Sequence, residues 1–172
     1  MTNQESIQYP AATEQKRVEM MHTIEIQSTP DKIFPLGCPV EELRWTPNWE
    51  YQLVYTNSGV NEDNCIFRED MSGPILFGNP ATTTWYTTLH DSDKCRVQWL
   101  LIIEDKAVIK WEFSGRETGL NTTTCTWNLI FTALNNEANE LSEKGIKESL
   151  NTILNFVSNA LKHYCETGKI IS

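Results

Sequence analysis

The hydrophobic pattern is clearest at the end of the chain. On a wheel of 100° per residue, Ile146, Leu150, Ile153, Leu154, Val157, Ala160, Leu161 and Tyr164 fall within an arc of about 120°, and Glu148, Asn151, Asn155, Asn159, Lys162 and Glu166 fall opposite. The pattern predicts one amphipathic helix over residues 142–168. Ser142 suits its N-cap, Glu143 the first turn, where the helix dipole favours a carboxylate, and Gly168 the C′ position. At about 1.5 Å per residue such a helix is roughly 38 Å long, so something broad must lie under its apolar face.

Upstream the period changes from 3.6 to 2. Residues 18–27 alternate Met20, His22, Ile24 and Ile26 with polar positions and read as a first strand. Pro30 and Asp31 open a short helix that Pro35 and Gly37 break, and residues 39–45 form a second one, ended by Pro47. Six strands follow, near residues 51–56, 64–69, 82–89, 95–103, 107–114 and 122–134. Turns or irregular links join them at Asn57-Ser58-Gly59, Ser72-Gly73-Pro74 with Gly78-Asn79-Pro80, Asp91-Ser92-Asp93 and Glu104-Asp105-Lys106, and a longer loop at residues 115–121. Hairpin-length links imply an antiparallel meander, and strands followed by a helix imply an α+β protein rather than a βαβ array. A curved sheet of about seven strands wrapped around the C-terminal helix satisfies both apolar faces.

Composition narrows the picture. A chain of 172 residues suits one sizeable core, expected over residues 18–172, behind a polar, aperiodic extension at residues 1–17. The formal charge of −9 and the lack of a basic run argue against nucleic-acid and acidic-membrane partners. The five cysteines are too widely spaced for a zinc site, and neither a signal-like segment nor a stretch of about 18 apolar residues is present. A reduced, cytoplasmic protein without stable membrane insertion is expected; oligomeric state is open.

The order strand, two small helices, six-strand meander, long C-terminal helix resembles the helix-grip fold of the START and polyketide-cyclase-like superfamily, SRPBCC, over about residues 18–169. The run Cys38-Pro39-Val40-Glu41-Glu42-Leu43-Arg44-Trp45-Thr46-Pro47-Asn48-Trp49, together with residues 55–59, Cys65-Ile66-Phe67 and the tail Tyr164-Cys165-Glu166-Thr167-Gly168, is similar to a group of mostly uncharacterised bacterial proteins of that superfamily. The resemblance implies a cavity between sheet and helix that holds a hydrophobic small molecule or lipid. In some members the cavity is catalytic, as in aromatase/cyclases acting on polyketide chains, and another branch activates Hsp90 through protein contacts. Fold alone does not choose among these.

The inward set expected from the sheet is Leu53, Phe67, Trp85, Trp99, Leu101, Trp111, Phe113, Trp127 and Phe131, faced by Leu154, Val157 and Leu161 of the helix. Such residues line ligand pockets, and they also simply fill cores. Glu42, Trp45 and Trp49 belong to the insert that would close one mouth. There the carboxylate either meets a polar ligand head or is an exposed helix residue beside two core-sealing indoles. No convergent catalytic set appears, since His90-Asp91-Ser92-Asp93 crowds a turn and paired carboxylates such as Glu41-Glu42 diverge in direction. No metal or cofactor is called for. Binding of a hydrophobic or amphipathic molecule without catalysis is the leading expectation, ahead of a cyclase-like enzyme using Glu42 and of a protein-interaction module.

Overall fold

In the computed structural model, which describes residues 15–71, 81–141 and 143–171, the period-2 segments form seven antiparallel strands. They are β1 (Arg17–Ile26), β2 (Gln52–Tyr55), β3 (Ile66–Met71), β4 (Ala81–Asp91), β5 (Arg96–Ile103), β6 (Ala107–Gly119) and β7 (Thr122–Ala133). Their order in the sheet is β1-β7-β6-β5-β4-β3-β2. Consecutive strands pair from β2 to β7, and β1 then closes against β7. The architecture is α+β, a curved antiparallel meander with a long C-terminal helix. The expected link at Ser72-Gly73-Pro74 and Gly78-Asn79-Pro80, the Ser142 cap and residues 1–14 of the expected extension lie outside the described residues.

Register breaks between Leu53 and Tyr55, Thr87 and Leu89, and Glu117 and Gly119 bend the strands, as bulges do, and give the sheet its curvature. Asp105 and Asn121 take positive φ at the tips of the β5–β6 and β6–β7 hairpins, a conformation these two residue types tolerate.

One expectation fails at β6. Gly115 reads as the start of a loop, yet the strand continues to Gly119 and pairs with β7 as far as Thr122. A Cβ at position 115 would lie 3.4 Å from Thr123 Cγ2 and 3.8 Å from Cys95 Cβ, and the Gly115 N–H donates to Cys95 O at 2.9 Å. The glycine thus marks a close approach of the β4–β5 turn to β6 rather than a break.

Because β1 and β2 occupy opposite edges, the segment joining them crosses the full width of the sheet, about 29 Å at ~4.8 Å per strand spacing. It does so through α1 (Pro30–Ile33), a 3₁₀ turn (Phe34–Gly37) and α2 (Pro39–Glu42). The second of these helices is shorter than residues 39–45, continuing only as turns whose N–H groups at Arg44, Trp45 and Thr46 donate to Glu41 and Glu42. A five-residue helix the periodicity did not register, α3 (Asn136–Glu140), follows β7; the Asn135 side chain caps it by accepting from Ala138 N at 2.8 Å.

The long helix α4 (Glu143–Thr167) ends at Gly168, whose φ of +70° fits the C′ position and whose N–H donates to Tyr164 O at 2.8 Å. Three contacts fix it to β1 and the residue after it. His22 Nε2 and Ser158 Oγ share a hydrogen bond of 2.9 Å, Lys162 Nζ donates to Glu25 O at 2.9 Å, and Gln27 N donates to Glu166 Oε1 at 3.0 Å.

The apolar stripe divides lengthwise into two rows of i, i+4 spacing. Ile146, Leu150, Leu154 and Ser158 are fully buried, whereas Ile153 and Val157 of the adjacent row stay partly accessible. Leu154→Ala should therefore cost about 2–5 kcal/mol in urea denaturation. Ile153→Ala, one position away, should cost clearly less; equal losses would place both rows in the packed core.

Candidate functional site

The second helical row borders a cavity of about 460 Å³ between α4 and the sheet. Cross-strand register builds its floor. Phe67, Trp85, Leu101 and Ile109 stand opposite one another across β3, β4, β5 and β6, and Trp99 and Trp111 form the next rung. Adjacent rungs point to the same face because their residues differ by two along each strand. The rings interlock about Trp85, which stacks on Phe67 at 5.2 Å between centroids, meets Trp99 edge-on at 5.9 Å and tilts against Trp111 at 5.6 Å. Phe113 and Trp127 pack at 5.0 Å at the far end.

The crossing segment supplies the opposite wall. Trp45, 1% exposed, donates Nε1–H to Leu36 O at 2.8 Å, and Trp49 donates to Pro39 O at 3.0 Å while its ring stacks on Tyr51. Asn48, at φ 57°, turns the chain between them. Arg44 pairs with Glu41 and lies 5.7 Å over the Tyr164 ring, tying this wall to α4. Both indoles are thus spent on backbone carbonyls, and neither binds Glu42. The Glu42 carboxylate is left lining the cavity.

No protein-family model matches the sequence, and no curated protein matches it significantly. The likeness of residues 38–49 to a bacterial subgroup thus rests on the sequence alone. Solved structures do match. The chain is similar to the Zhui aromatase/cyclase from Streptomyces sp. R1128, with 12% identity and a TM-score of 0.65 over 91% of this chain and 100% of that one. It is similar to a START superfamily protein from Mycobacterium smegmatis, with 13% identity and a TM-score of 0.66 over 88% and 99%. It is also similar to norcoclaurine synthase from Thalictrum flavum, solved with dopamine and hydroxybenzaldehyde, with 11% identity and a TM-score of 0.67 over 92% of each chain. The fold is the START-like helix grip.

Within this helix grip, Glu42, Trp45, Trp49, Phe67, Trp85, Trp99, Leu101, Trp111, Phe113, Trp127, Val157 and Leu161 are brought together around the cavity, which all six tryptophans line. Leu53, Phe131 and Leu154 are not among its walls. Leu53 lies on the short strand β2 near the sheet edge, and Phe131 and Leu154 are fully buried in packed core. Sequence reasoning missed Leu150, Ile153 and Phe156 on α4, and Glu69, Thr83, Ile103 and Ile109 on the sheet. Glu69 carried a signal: it is two residues after Phe67 and so shares its face.

Glu69 is 5% exposed and stands opposite Thr83, itself opposite Ile103. Burial pushes its carboxyl up to about 8, and the nearby Trp85 indole pulls it back only in part. Glu42 is pushed well above the usual carboxylate range, first by burial and then by the Glu69 carboxyl. Glu42 keeps some accessible surface, but that residue lines the cavity, so its surroundings are protein and cavity space. Among the described residues, Thr46 Oγ1, Glu69 Oε2, Thr83 Oγ1, Trp85 Nε1 and Trp99 Nε1 around the same space have no partner within hydrogen-bond geometry, although the Trp85 indole is near enough to the Glu69 carboxyl to act on it. Groups of three or more metal-ligating side chains are absent among the described residues.

A carboxyl that ionises near pH 4.5 when unfolded and near 8 when folded holds its proton more tightly in the native state. Its contribution to stability is complete below pH 4.5 and is lost as pH rises to about 8, at up to ~1.4 kcal/mol per pH unit. Glu69→Gln should flatten that decline, making the variant more stable than wild type at pH 8 and closing the gap near pH 4.5. Chemical denaturation across this range checks it.

Proposed function

We propose that the protein binds an apolar or amphipathic small molecule in the space between α4 and the sheet. The observation that carries this reading is the cavity itself: about 460 Å³, walled by six indoles and by aliphatic side chains, and holding a few convergent polar groups. That combination of size, apolar lining and sparse polarity is the usual form of a small-molecule site. The similarity to START-like and aromatase/cyclase structures supports it at the level of fold. Phe156, 46% exposed and at the cavity's edge, marks a side on which the wall is open to solvent.

A second reading, acid–base chemistry on the bound molecule, is favoured by one observation: Glu69 keeps a proton near neutral pH inside the cavity, where a general acid would be placed. The protein-interaction reading calls for one contiguous exposed apolar patch. Among the described residues, the exposed large apolar side chains come from many elements, among them Met21 on β1, Val54 and Tyr55 on β2, Ile102 on β5, Leu120 in the β6–β7 turn and Phe156 on α4.

Native mass spectrometry of the purified protein should reveal a co-purifying small molecule or uptake of the neutral probe N-phenyl-1-naphthylamine. Val157→Trp, which fills the cavity from the helix side, should lower affinity for that probe at least about tenfold, since displaced contact area translates into binding energy. Unchanged affinity in a folded variant would move the site elsewhere.

A further inference from the structure

The polar part of the cavity is built asymmetrically. Glu42 from the crossing segment and Glu69 from β3 both line it, and the described lining residues include no Lys, Arg or His. The two carboxyls are close enough to oppose each other's ionisation. Glu69 and Thr83 both line this space and are more than nine-tenths buried, and among the described residues Glu69 Oε2 and Thr83 Oγ1 have no hydrogen-bond partner. Such orphaned buried groups are costly, and a fold retains them where something else completes them. Around them stand the rings of Trp85, Trp99 and Trp111, whose faces attract a cation.

We propose that the cavity is selective for a hydrophobic amine, its body laid against the tryptophans and its ammonium held by the Glu42 and Glu69 carboxylates. This rests on the cavity-binding reading above and names the ligand's head group. An anionic head is disfavoured because it would meet two acidic groups and no basic residue among the described lining, and the Trp85 and Trp99 N–H donors carry only partial charge. A neutral hydroxyl satisfies one donor and one acceptor but brings no charge that would favour the ionised carboxylates. An ammonium supplies that charge along with three donors, and the indole faces add to it in a desolvated setting.

The proposal carries a proton linkage. Of the titratable groups that face the head, Glu69 is pushed up to about 8 by burial and so holds a proton near neutral pH in the empty cavity, and burial with the Glu69 carboxyl beside it raises Glu42 in the same direction. An alkylammonium stays charged there, as lysine does. Its entry favours the ionised carboxylate and expels a proton to solvent, so affinity should climb by up to about tenfold per pH unit from pH 6 to 8 and then level.

Isothermal titration calorimetry with decylamine, 1-decanol and decanoate tests this, because the three share one tail and differ in the head. Expected are binding of decylamine at least about tenfold tighter than 1-decanol, decanoate weakest, and proton release measured from the buffer dependence of the heat. Glu69→Gln and Glu42→Gln should each reduce the amine-to-alcohol affinity ratio several-fold, measured as a ratio within each variant. If 1-decanol or decanoate matches decylamine, or if both variants keep the wild-type ratio, the amine assignment falls and cavity binding stands. If none of the three binds, both fall together.

Discussion

A straight helix laid in a concave sheet cannot touch it along both edges of an apolar stripe. Here the contact is settled on one side by three fastenings, His22 to Ser158, Lys162 to Glu25 O, and Gln27 to Glu166, which hold α4 against β1. The row Ile146, Leu150, Leu154, Ser158 is then buried, with only Leu150 of it reaching the cavity, and Ile153 and Val157 are left standing off the floor formed by β3 to β6. The cavity is thus the remainder of a packing problem. Its place follows from which edge of the sheet the helix is tied to.

The crossing segment shapes that remainder. It must span the sheet from β1 to β2, and its two tryptophans anchor it by hydrogen-bonding backbone carbonyls rather than side chains. A backbone anchor fixes the wall without consuming the polar groups inside. Glu42, Glu69, Thr83 and the indoles of Trp85 and Trp99 are left to share a low-polarity space, where carboxyls prefer to stay neutral. That preference is a stored electrostatic bias, and it makes the cavity's affinity for charge depend on what enters.

Much of this was legible in the sequence because it rests on periodicity. The strand alternation placed Phe67, Trp85, Trp99, Trp111 and Trp127 on one face, and the 3.6-residue period placed Val157 and Leu161 opposite them. What periodicity does not carry is the offset between two packed elements. It gave a stripe of eight residues but not which of them reach the cavity, so Leu154 was assigned to the wall while Leu150 and Ile153 were passed over, and strand alternation assigned Phe131 of β7 to the wall although it packs in the core. The strand β6 was cut short at Gly115 because a close backbone approach and a turn look alike in sequence. Glu69 was missed although it lies two residues from Phe67 on the same face, and the register sets it opposite Thr83.

All six tryptophans of the chain border the same cavity, with Phe67 and Phe113 packed among them. The near-ultraviolet absorption and emission of the whole molecule therefore arise largely from the walls of one internal space. With Trp85 within 6 Å of both Trp99 and Trp111, excitation can pass between neighbouring rings before it is emitted. The protein's optical signature is in effect a local one, reporting the polarity and occupancy of its interior rather than the state of its surface.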